Sequence, residues 1–352
     1  MKSILDRIFV DGLGGMAQGL FATLIIGTII QQIGTFAGGD VGNLIYITGK
    51  MAAAMTGAGI GVGVARKFEA DHLVVVSAAT VGMIGAFASK MLAGEVMQSG
   101  GIMVFAGPGE PLGAFVAAYA AIEVGILISG RTKLDIILTP LICIGVGAAA
   151  GIFAGPPISR FMAWLGSLIN WGTEQQPFLM GIVVSVLMGI ILTLPISSAA
   201  LGIILNLSGL AAGAATIGCC CNMVGFAVAS FRENRFSGLI AQGIGTSMLQ
   251  IPNIVRRPLI WLPAIISSAI LGPVGTLLLH MTNNATGSGM GTAGLVGPLM
   301  TWQVMIQTEE PLVVLAKIIV IQILMPAVLT LGISELMRKK NWIRYGDMKL
   351  EL

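Results

Sequence analysis

The segment FSGLIAQGIGTSMLQIPNIV, residues 236–255, is mostly apolar, yet a pair of arginines flanks each of its ends. Arg232 and Arg235 precede it, and Arg256 and Arg257 follow it. Because arginine and lysine concentrate in cytoplasmic loops of membrane proteins, both ends are expected on the same side of the membrane. One helix cannot cross the membrane and return, so the segment predicts a broken, re-entrant hairpin. Irregular backbone at membrane depth is tolerated where protein or a water-filled cavity surrounds it.

The composition of the whole chain also indicates a membrane protein. Of its 352 residues, 55% are hydrophobic and 10% are charged, and the mean hydropathy is +0.92. Soluble domains carry about 25% charged residues. The net charge of +3 is explained by basic residues in cytoplasmic loops, so no nucleic-acid partner is predicted. The four cysteines give no disulfide framework.

Eight apolar stretches approach the length of about 20 residues that a membrane-spanning helix needs. They are residues 14–36, 41–65, 73–92, 111–129, 134–154, 178–194, 258–279 and 312–336. We predict an all-α polytopic membrane protein with about 8–10 transmembrane helices, two re-entrant hairpins and an interfacial amphipathic helix. If the N-terminus is inside, the remaining basic clusters follow even numbers of crossings; they are Lys2, Arg7, Arg66, Lys67, Arg131, Lys133, Arg338, Lys339 and Lys340. Both termini are therefore expected in the cytoplasm.

The second predicted hairpin is HMTNNATGSGMGTAGLVGP, residues 280–298, a polar and glycine-rich stretch between apolar flanks. Its flanks place it on the side of the membrane opposite to residues 236–255. Two such segments that approach the midplane from opposite sides are typical of a transporter substrate site. The alternative interpretation of residues 280–298 is a long external loop.

Polar side chains of these two hairpins, with three residues from the preceding segments, are the candidate ligands for a small polar solute. The predicted substrate-binding residues are Ser197, Ser198, Asn222, Gln242, Gln250, Asn253, Asn283, Asn284, Thr286, Ser288 and Thr292. Thr246 and Ser247 belong to the same polar set in the first hairpin. The alternative role for that hairpin's polar residues is hydrogen bonding between helices, which is ordinary for Ser, Thr and Gln in membranes.

An amphipathic stretch separates the two halves of the chain. Between Gly155 and Pro177, apolar residues recur at helical spacing, and Trp164 and Trp171 are placed to meet lipid headgroups. We take this interfacial helix as the boundary between an N-terminal dimerisation and scaffold domain, 1–155, and a domain of residues 156–352. The glycine- and alanine-rich early spans carry packing faces, so the contacts of a homodimer are expected before Gly155.

Charged residues inside predicted spans are costly and require partners. Lys50 lies in the second predicted span and Glu123 in the fourth, so we predict an intramembrane ion pair between them. No metal site is predicted, because the adjacent thiols of Cys219, Cys220 and Cys221 point about 100° apart on a helix. No cofactor is predicted either: the glycine pattern TGAGIGVGVA lies inside a span, where it indicates helix packing.

Three stretches resemble a known family of transport proteins. GEPLGAFVAAYAAIEVG, PLICIGVGAAAGIFAGPPISRFMAWLGSLINW and FLMGIVVSVLMGIILTLPISSAALG resemble the fructose-type enzyme IIC of the bacterial phosphoenolpyruvate-dependent sugar phosphotransferase system. The resemblance is to a compact, stand-alone branch that includes perfringolysin regulator-like membrane proteins. It covers residues from Glu110 to the C-terminus.

The resemblance implies a homodimer in the bacterial inner membrane. It further implies that residues 156–352 comprise a linking helix and a transport domain with two re-entrant hairpins. Sugar would move by an elevator-like displacement of that domain and be phosphorylated by separate enzyme IIB and IIA carriers. The chain itself shows no catalytic or phosphoryl-carrier site.

The chain departs from the family pattern at its polar motifs. Fructose-type relatives carry an acidic and amide-rich motif where this chain has LPISSAAL, and residues 280–298 lack the glutamate of glucose-type relatives. Carboxylates make strong hydrogen bonds to sugar hydroxyls. Three functions therefore stay open: a permease for a small polar solute such as a sugar, a membrane sensor that regulates gene expression, and a passive facilitator.

Overall fold

The computed structural model describes residues 7–98, 101–105 and 107–350, so Lys2 lies outside the described residues. These residues form an all-α polytopic membrane protein, as the sequence predicts. The chain divides into two compact units, Met1–Ala163 (unit 1) and Trp164–Leu352 (unit 2).

Unit 1 is a bundle of α-helices with one short β-hairpin. A π-helical turn, Arg7–Gly12, leads into the first helix, and a second π segment, Phe21–Ile25, follows it. The α-helices are α1 (Leu13–Leu20), α2 (Ile26–Ala37), α3 (Gly39–Ala54), α4 (Thr56–Lys67), α5 (His72–Leu92) and α6 (Pro111–Ile128), followed by the first part of α7 (Asp135–Thr173). The strands β1 (Met97–Gln98) and β2 (Ile102–Met103) pair antiparallel.

Glycine faces hold the helices of unit 1 together. A methyl group at Gly15 of α1 would lie 2.6 Å from the carbonyl oxygen of Gly63 in α4. One at Gly57 of α4 would lie 2.6 Å from the carbonyl oxygen of Gly82 in α5. Larger side chains would separate these backbones, so the abundant glycines of the early spans are packing positions.

Helix α7 differs from the expected arrangement. The predicted span 134–154 and the predicted interfacial helix form one continuous helix of 39 residues, which passes through Pro140, Pro156 and Pro157 without ending. The side chains of Trp164 and Trp171 are exposed. Their position at the lipid headgroups stays a prediction.

Unit 2 contains long helices and shorter interrupted ones. Its α-helices after α7 are α8 (Pro177–Thr193), α9 (Ser198–Ile204), α10 (Gly209–Ala229), α11 (Phe231–Ile240), α12 (Ile251–Arg256), α13 (Leu262–Pro273), α14 (Ala285–Ser288), α15 (Val296–Met305), α16 (Pro311–Ile318) and α17 (Met325–Lys339). Between them lie the π segments Ala241–Gly245, Val274–Leu278 and Ile319–Leu324, and the 3-10 turns Ser247–Gln250, Pro258–Trp261 and Ala293–Leu295.

Helix α10 is the centre of unit 2, and the sequence analysis missed it as a span. It packs against α8, α13 and α17, and nearly all of its side chains are buried, including Cys219, Cys220 and Cys221. Its glycines, alanines and cysteines fit a helix surrounded by protein better than one facing lipid.

In the described part of the chain, seven helices are long and apolar enough to cross a membrane. They include α10, whereas two predicted spans are absent from the set. The predicted span 41–65 is interrupted at Met55, where α3 ends before α4 begins. The predicted span 178–194 corresponds to α8, which has 17 residues.

Candidate functional site

The segment 236–255, named segment B, has the broken backbone that the sequence predicts. Helix α11 passes into a π segment, and the chain then becomes extended at Thr246, with φ −159° and ψ 142°. A 3-10 turn and the short helix α12 complete the segment. Its re-entrant position in a membrane stays a prediction.

Residues 280–298, named segment C, are also irregular. The backbone is left-handed at Gly291, Gly294 and Leu295, with φ of 50°, 53° and 59°. The side chain of Asn284 caps the short helix α14 by accepting a hydrogen bond from the backbone N–H of Gly287 at 3.0 Å. Segment C is therefore folded back on itself within unit 2.

A third interrupted stretch, residues 194–208 or segment A, was not predicted. It joins α8 to α10 and contains only the short helix α9. The Ser197 hydroxyl caps α9 by accepting from the backbone N–H of Ala200 at 3.2 Å. The Ser198 hydroxyl donates to the carbonyl oxygen of Gly289 at 2.6 Å, which joins segment A to segment C.

Four side chains form a buried polar cluster where segment B meets α8 and α10. This amide–hydroxyl junction consists of Thr193, Asn222, Ser247 and Trp261. The Asn222 Oδ1 atom accepts from the Thr193 hydroxyl at 3.2 Å and from Trp261 Nε1 at 2.9 Å. The hydroxyl oxygens of Thr193 and Ser247 lie 2.8 Å apart. Thr193, Asn222 and Ser247 are completely buried.

The oxygen atoms of the junction can accept more hydrogen bonds than its N–H and O–H groups donate. The Thr193 hydroxyl has one proton but reaches three oxygen atoms: Asn222 Oδ1, the Ser247 hydroxyl and, at 3.1 Å, the carbonyl oxygen of Gly189. Each hydroxyl oxygen and each amide oxygen has two lone pairs. The junction is therefore able to accept further hydrogen bonds from a hydroxyl-rich molecule.

Segments B and C also touch near this level of α10. The Thr292 hydroxyl donates to the carbonyl oxygen of Gly243 in segment B, and its oxygen lies 3.6 Å from the sulfur of Met223 in α10. Segments A, B and C are thus linked to one another, and each contacts α10 or a residue bonded to it.

Three predicted ligands of segment B form a chain of amides. Gln250 Nε2 donates to Gln242 Oε1 at 2.9 Å, and Asn253 Nδ2 donates to Gln250 Oε1 at 2.8 Å. The remaining donor contacts of Gln250 and Asn253 reach backbone carbonyls of the C-terminal residues Met348 and Lys349. The structure brings these amides together, but it directs them toward the C-terminal segment.

Asn283 is a support inside segment C. Its Nδ2 lies 2.7 Å from the Thr216 hydroxyl and 3.0 Å from the Thr301 hydroxyl, and its side chain is buried. Gln322 Nε2 donates to the same Thr301 oxygen at 2.8 Å, and Gln322 Oε1 is buried without a hydrogen-bond partner. These contacts fix the base of segment C to α10, α15 and the last span.

The other predicted ligands of segment C differ in how far their side chains are buried. Ser288 is buried and donates to the carbonyl oxygen of Ala285 at 2.8 Å. Thr286 is exposed. Asn222 and Thr292 thus lie where the segments meet, whereas Thr286 faces outward. The sequence analysis missed Thr193 and Trp261, because only their distant partners identify them.

The ion pair of Glu123 differs from the prediction. Its Oε1 atom lies 2.6 Å from Nε of Arg7, whose guanidinium also covers the ring of Phe68 at 4.6 Å. Lys50 is exposed on α3, and no ion pair joins it to Glu123. Arg7 takes the place of Lys50 because the π-helical turn before α1 brings it beside α6.

One cavity in the described part of the chain is lined by residues of unit 1. It has a volume of 480 Å³ and is lined by Phe68, Glu69, Asp71, Ser129 and Asp135, among others. Hydrogen bonds from the His72 backbone N–H and the Ser129 hydroxyl lower the pKa of Asp71. None of the predicted substrate-binding residues is among the lining residues of this cavity.

Comparison with known proteins gives one family match. A family model described as "Phosphotransferase system, EIIC" matches residues 10–350, nearly the whole chain. A search among curated proteins finds no match.

Proposed function

The chain belongs to the phosphotransferase system EIIC family, and we propose that this membrane sugar-permease subunit carries a neutral sugar or polyol at the amide–hydroxyl junction of unit 2. The observation that carries the proposal is the meeting of segment B with α8 and α10 at a buried cluster with spare acceptor capacity. In transporters, substrate sites are formed by discontinuous segments near the bilayer midplane.

The chemistry of the junction supports an uncharged solute. Thr193, Asn222, Ser247 and Trp261 offer hydroxyl, amide and indole groups, and none of them is ionised. Binding sites for small molecules combine apolar and aromatic walls with a few polar groups that fix orientation. A sugar hydroxyl that donates to Asn222 or Thr193 would replace a contact that these residues now make with each other. The present arrangement, in which these groups are bonded to one another, is then the closed form.

A membrane topology follows from the broken segments. The seven long apolar helices and the interrupted pair α3–α4 make eight crossings, while α8 together with segment A, segment B and segment C enter and return without crossing. With the N-terminus inside, the arginine pairs on both sides of segment B become cytoplasmic, and so does the end of α17. We place both termini in the cytoplasm of a bacterial cell.

The two units are suited to different roles in transport. Unit 2 contains segments A, B and C and their contacts, so it would be the part that moves in an elevator-like step. Unit 1, or residues 1–155 with the linking helix beyond, would be the dimerisation scaffold. Lys50 supports this assignment, because an exposed ammonium group within a span is costly in lipid and requires cover by protein or water.

Separate carriers would complete the reaction. We propose that a phosphorylated enzyme IIB, recharged by enzyme IIA, donates the phosphoryl group to the sugar on the cytoplasmic side. The fructose-type subgroup is part of this proposal. The sugar itself is the acceptor, and this chain supplies the path and the binding site.

Uptake measurements test the proposed function. Purified protein in proteoliposomes is given radiolabelled neutral sugars and polyols, with or without a phosphorylated IIB and IIA pair. We expect accumulation of at least one sugar that depends on the carriers. Binding of a sugar without any uptake, even with carriers present, would contradict transport and favour the sensor.

A further inference from the structure

We propose that residues 341–350 are a latch that holds segment B in its closed position, and that release of this latch opens the amide–hydroxyl junction to the cytoplasm. The inference rests on the proposed function for the meaning of the junction. The latch itself is argued from the contacts of the C-terminal residues.

The C-terminal segment turns back on the protein after α17 ends. Asn341 has φ 58° and Gly346 has φ 96°, so the backbone is not helical at these two residues. Ile343, Met348 and Leu350 are buried at 1%, 0% and 8% exposure. These buried side chains tie residues 341–350 to unit 2.

Side-chain amides of unit 2 bind the backbone of this segment. Asn234 donates from Nδ2 to the Met348 carbonyl oxygen at 2.8 Å and accepts from the Leu350 backbone N–H at 2.8 Å. Gln250 donates to the same Met348 oxygen at 3.0 Å, and Asn253 donates to the Lys349 oxygen at 2.9 Å. Three carboxamides from α11 and segment B thus hold three consecutive residues of backbone.

A single 3-10 turn connects the latch contacts to the junction. Gln250 binds the C-terminal segment, and Ser247 binds Thr193; both belong to the 3-10 turn Ser247–Gln250. The amide chain continues inward, because Gln242 bonds to Gln250 and to the Ser230 hydroxyl at 2.8 Å. Gln250 and Asn253 therefore restrain the movement of segment B away from α8 for as long as they remain bound to the C-terminal backbone.

A buried ion pair fixes the same region to the last span. Arg338 Nη2 lies 2.9 Å from Glu233 Oε1, and the Gly346 backbone N–H donates to that oxygen at 3.3 Å. Glu233 Oε2 and Arg338 Nε are buried without hydrogen-bond partners. Leaving such atoms unpaired costs free energy, and opening would hydrate them. The cluster therefore favours a latch that opens reversibly over a permanent clamp.

Thiol labelling tests the latch. The reporter is Ser247→Cys in a protein whose four native cysteines are replaced by alanine, and the measurement is the rate of reaction with N-ethylmaleimide. Two variants release the latch: truncation after Gly346, and Asn253→Asp, which sets a carboxylate oxygen against the Lys349 carbonyl. We expect labelling at least tenfold faster in both. Lys349→Ala is the matched control, because its exposed side chain takes no part, and its rate should change less than twofold.

A second reporter separates opening from unfolding. Ser77→Cys, in the same background, is buried in unit 1 and should label equally slowly with and without the latch. Equal labelling of Ser247→Cys in latched and released proteins would overturn the proposal. Faster labelling at both reporters would also overturn it, since general unfolding would explain the result. If truncation prevents folding, Asn253→Asp carries the test alone.

The same labelling rates, measured with and without sugars, distinguish failure of the latch from failure of the proposed function. If latch release accelerates labelling but no sugar slows it, the latch stands and the proposed sugar site fails. If a sugar protects Ser247→Cys while the latch variants label at the parent rate, the site stands and the latch fails.

Discussion

The hydroxyl oxygens of Thr193 and Ser247 lie 2.8 Å apart, although 54 positions separate the two residues in the chain. Thr193 ends α8, and Ser247 begins the 3-10 turn of segment B. Both hydroxyls are buried, and the Thr193 hydroxyl also reaches the amide of Asn222 in α10. A small movement of segment B would break this contact and expose polar groups that recognise hydroxyls.

Asn283 is expected to support segment C and not to contact the solute. Asn283→Leu would leave the Thr216 oxygen without a donor, while Thr301 keeps the donor of Gln322, and should lower the free energy of unfolding by about 1–3 kcal/mol. Thr286→Ala is the control, because Thr286 is exposed and should change stability by less than about 0.5 kcal/mol. Thermal unfolding of purified protein measures both. Equal changes in stability in the two variants would favour the alternative interpretation of residues 280–298 as a long external loop.

Gly289 is required for the close approach of segments A and C. The φ of Gly289 is −105°, so glycine is not needed here for a left-handed backbone. It is needed because a methyl group at this position would collide with the Ser198 carbonyl oxygen. Gly289→Ala should abolish sugar uptake and lower the melting temperature. Gly332→Ala, with open space around the added methyl group, should do neither. An active Gly289→Ala protein would mean that segments A and C are not held together in this way.

The broken segments can be predicted from the sequence, but the residues that contact them cannot. The arginine pairs around residues 236–255 predict a broken segment that returns to its own side, and the glycines of 280–298 predict irregular backbone. The backbone is interrupted in both segments, whereas the return of residues 236–255 to their own side stays a prediction. Asn222 was predicted as one of the three candidate ligands from the segments that precede the first hairpin. Its partners Thr193 and Trp261 were missed, because contacts between distant parts of a chain leave no local periodicity.

The same limit explains the errors in the sequence predictions. Helix α10 was missed because its glycine, alanine and cysteine content blurs its boundaries, although its burial makes it the centre of unit 2. Lys50 and Glu123 were paired by their depth in predicted spans. Depth does not specify which faces of two helices meet, and Arg7 is the residue that meets Glu123.

Arg7 and Glu123 should show energetic coupling. Because both side chains are partly exposed, we expect Arg7→Met and Glu123→Gln to be non-additive by about 1 kcal/mol in a double-mutant cycle. Lys50→Met with Glu123→Gln is the matched cycle and should be additive. Chemical or thermal unfolding in detergent gives the energies. Coupling to Lys50 and none to Arg7 would reverse this assignment.

Glu110 should make stability depend on pH. Burial raises the pKa of this carboxyl, which caps α6, from its ordinary value to about 7. The folded state then holds a proton that the unfolded state has lost, so stability is greatest below about pH 4.5 for this group and falls by up to about 3 kcal/mol as the pH rises toward 7. Glu110→Gln should flatten this dependence. An unchanged pH profile of the melting temperature in Glu110→Gln would contradict it.

The most direct test of the account is ligand-induced stabilisation of purified protein by a panel of neutral sugars and polyols. A ligand at 100 times its Kd adds about 2.7 kcal/mol to the stability of the native state. We predict that at least one neutral sugar raises the Tm of the parent protein and of Thr48→Val, an exposed threonine control. The same sugar should leave the Tm of the Thr193→Val/Ser247→Ala double variant unchanged. Equal stabilisation of the double variant and the parent would contradict a sugar site at the amide–hydroxyl junction.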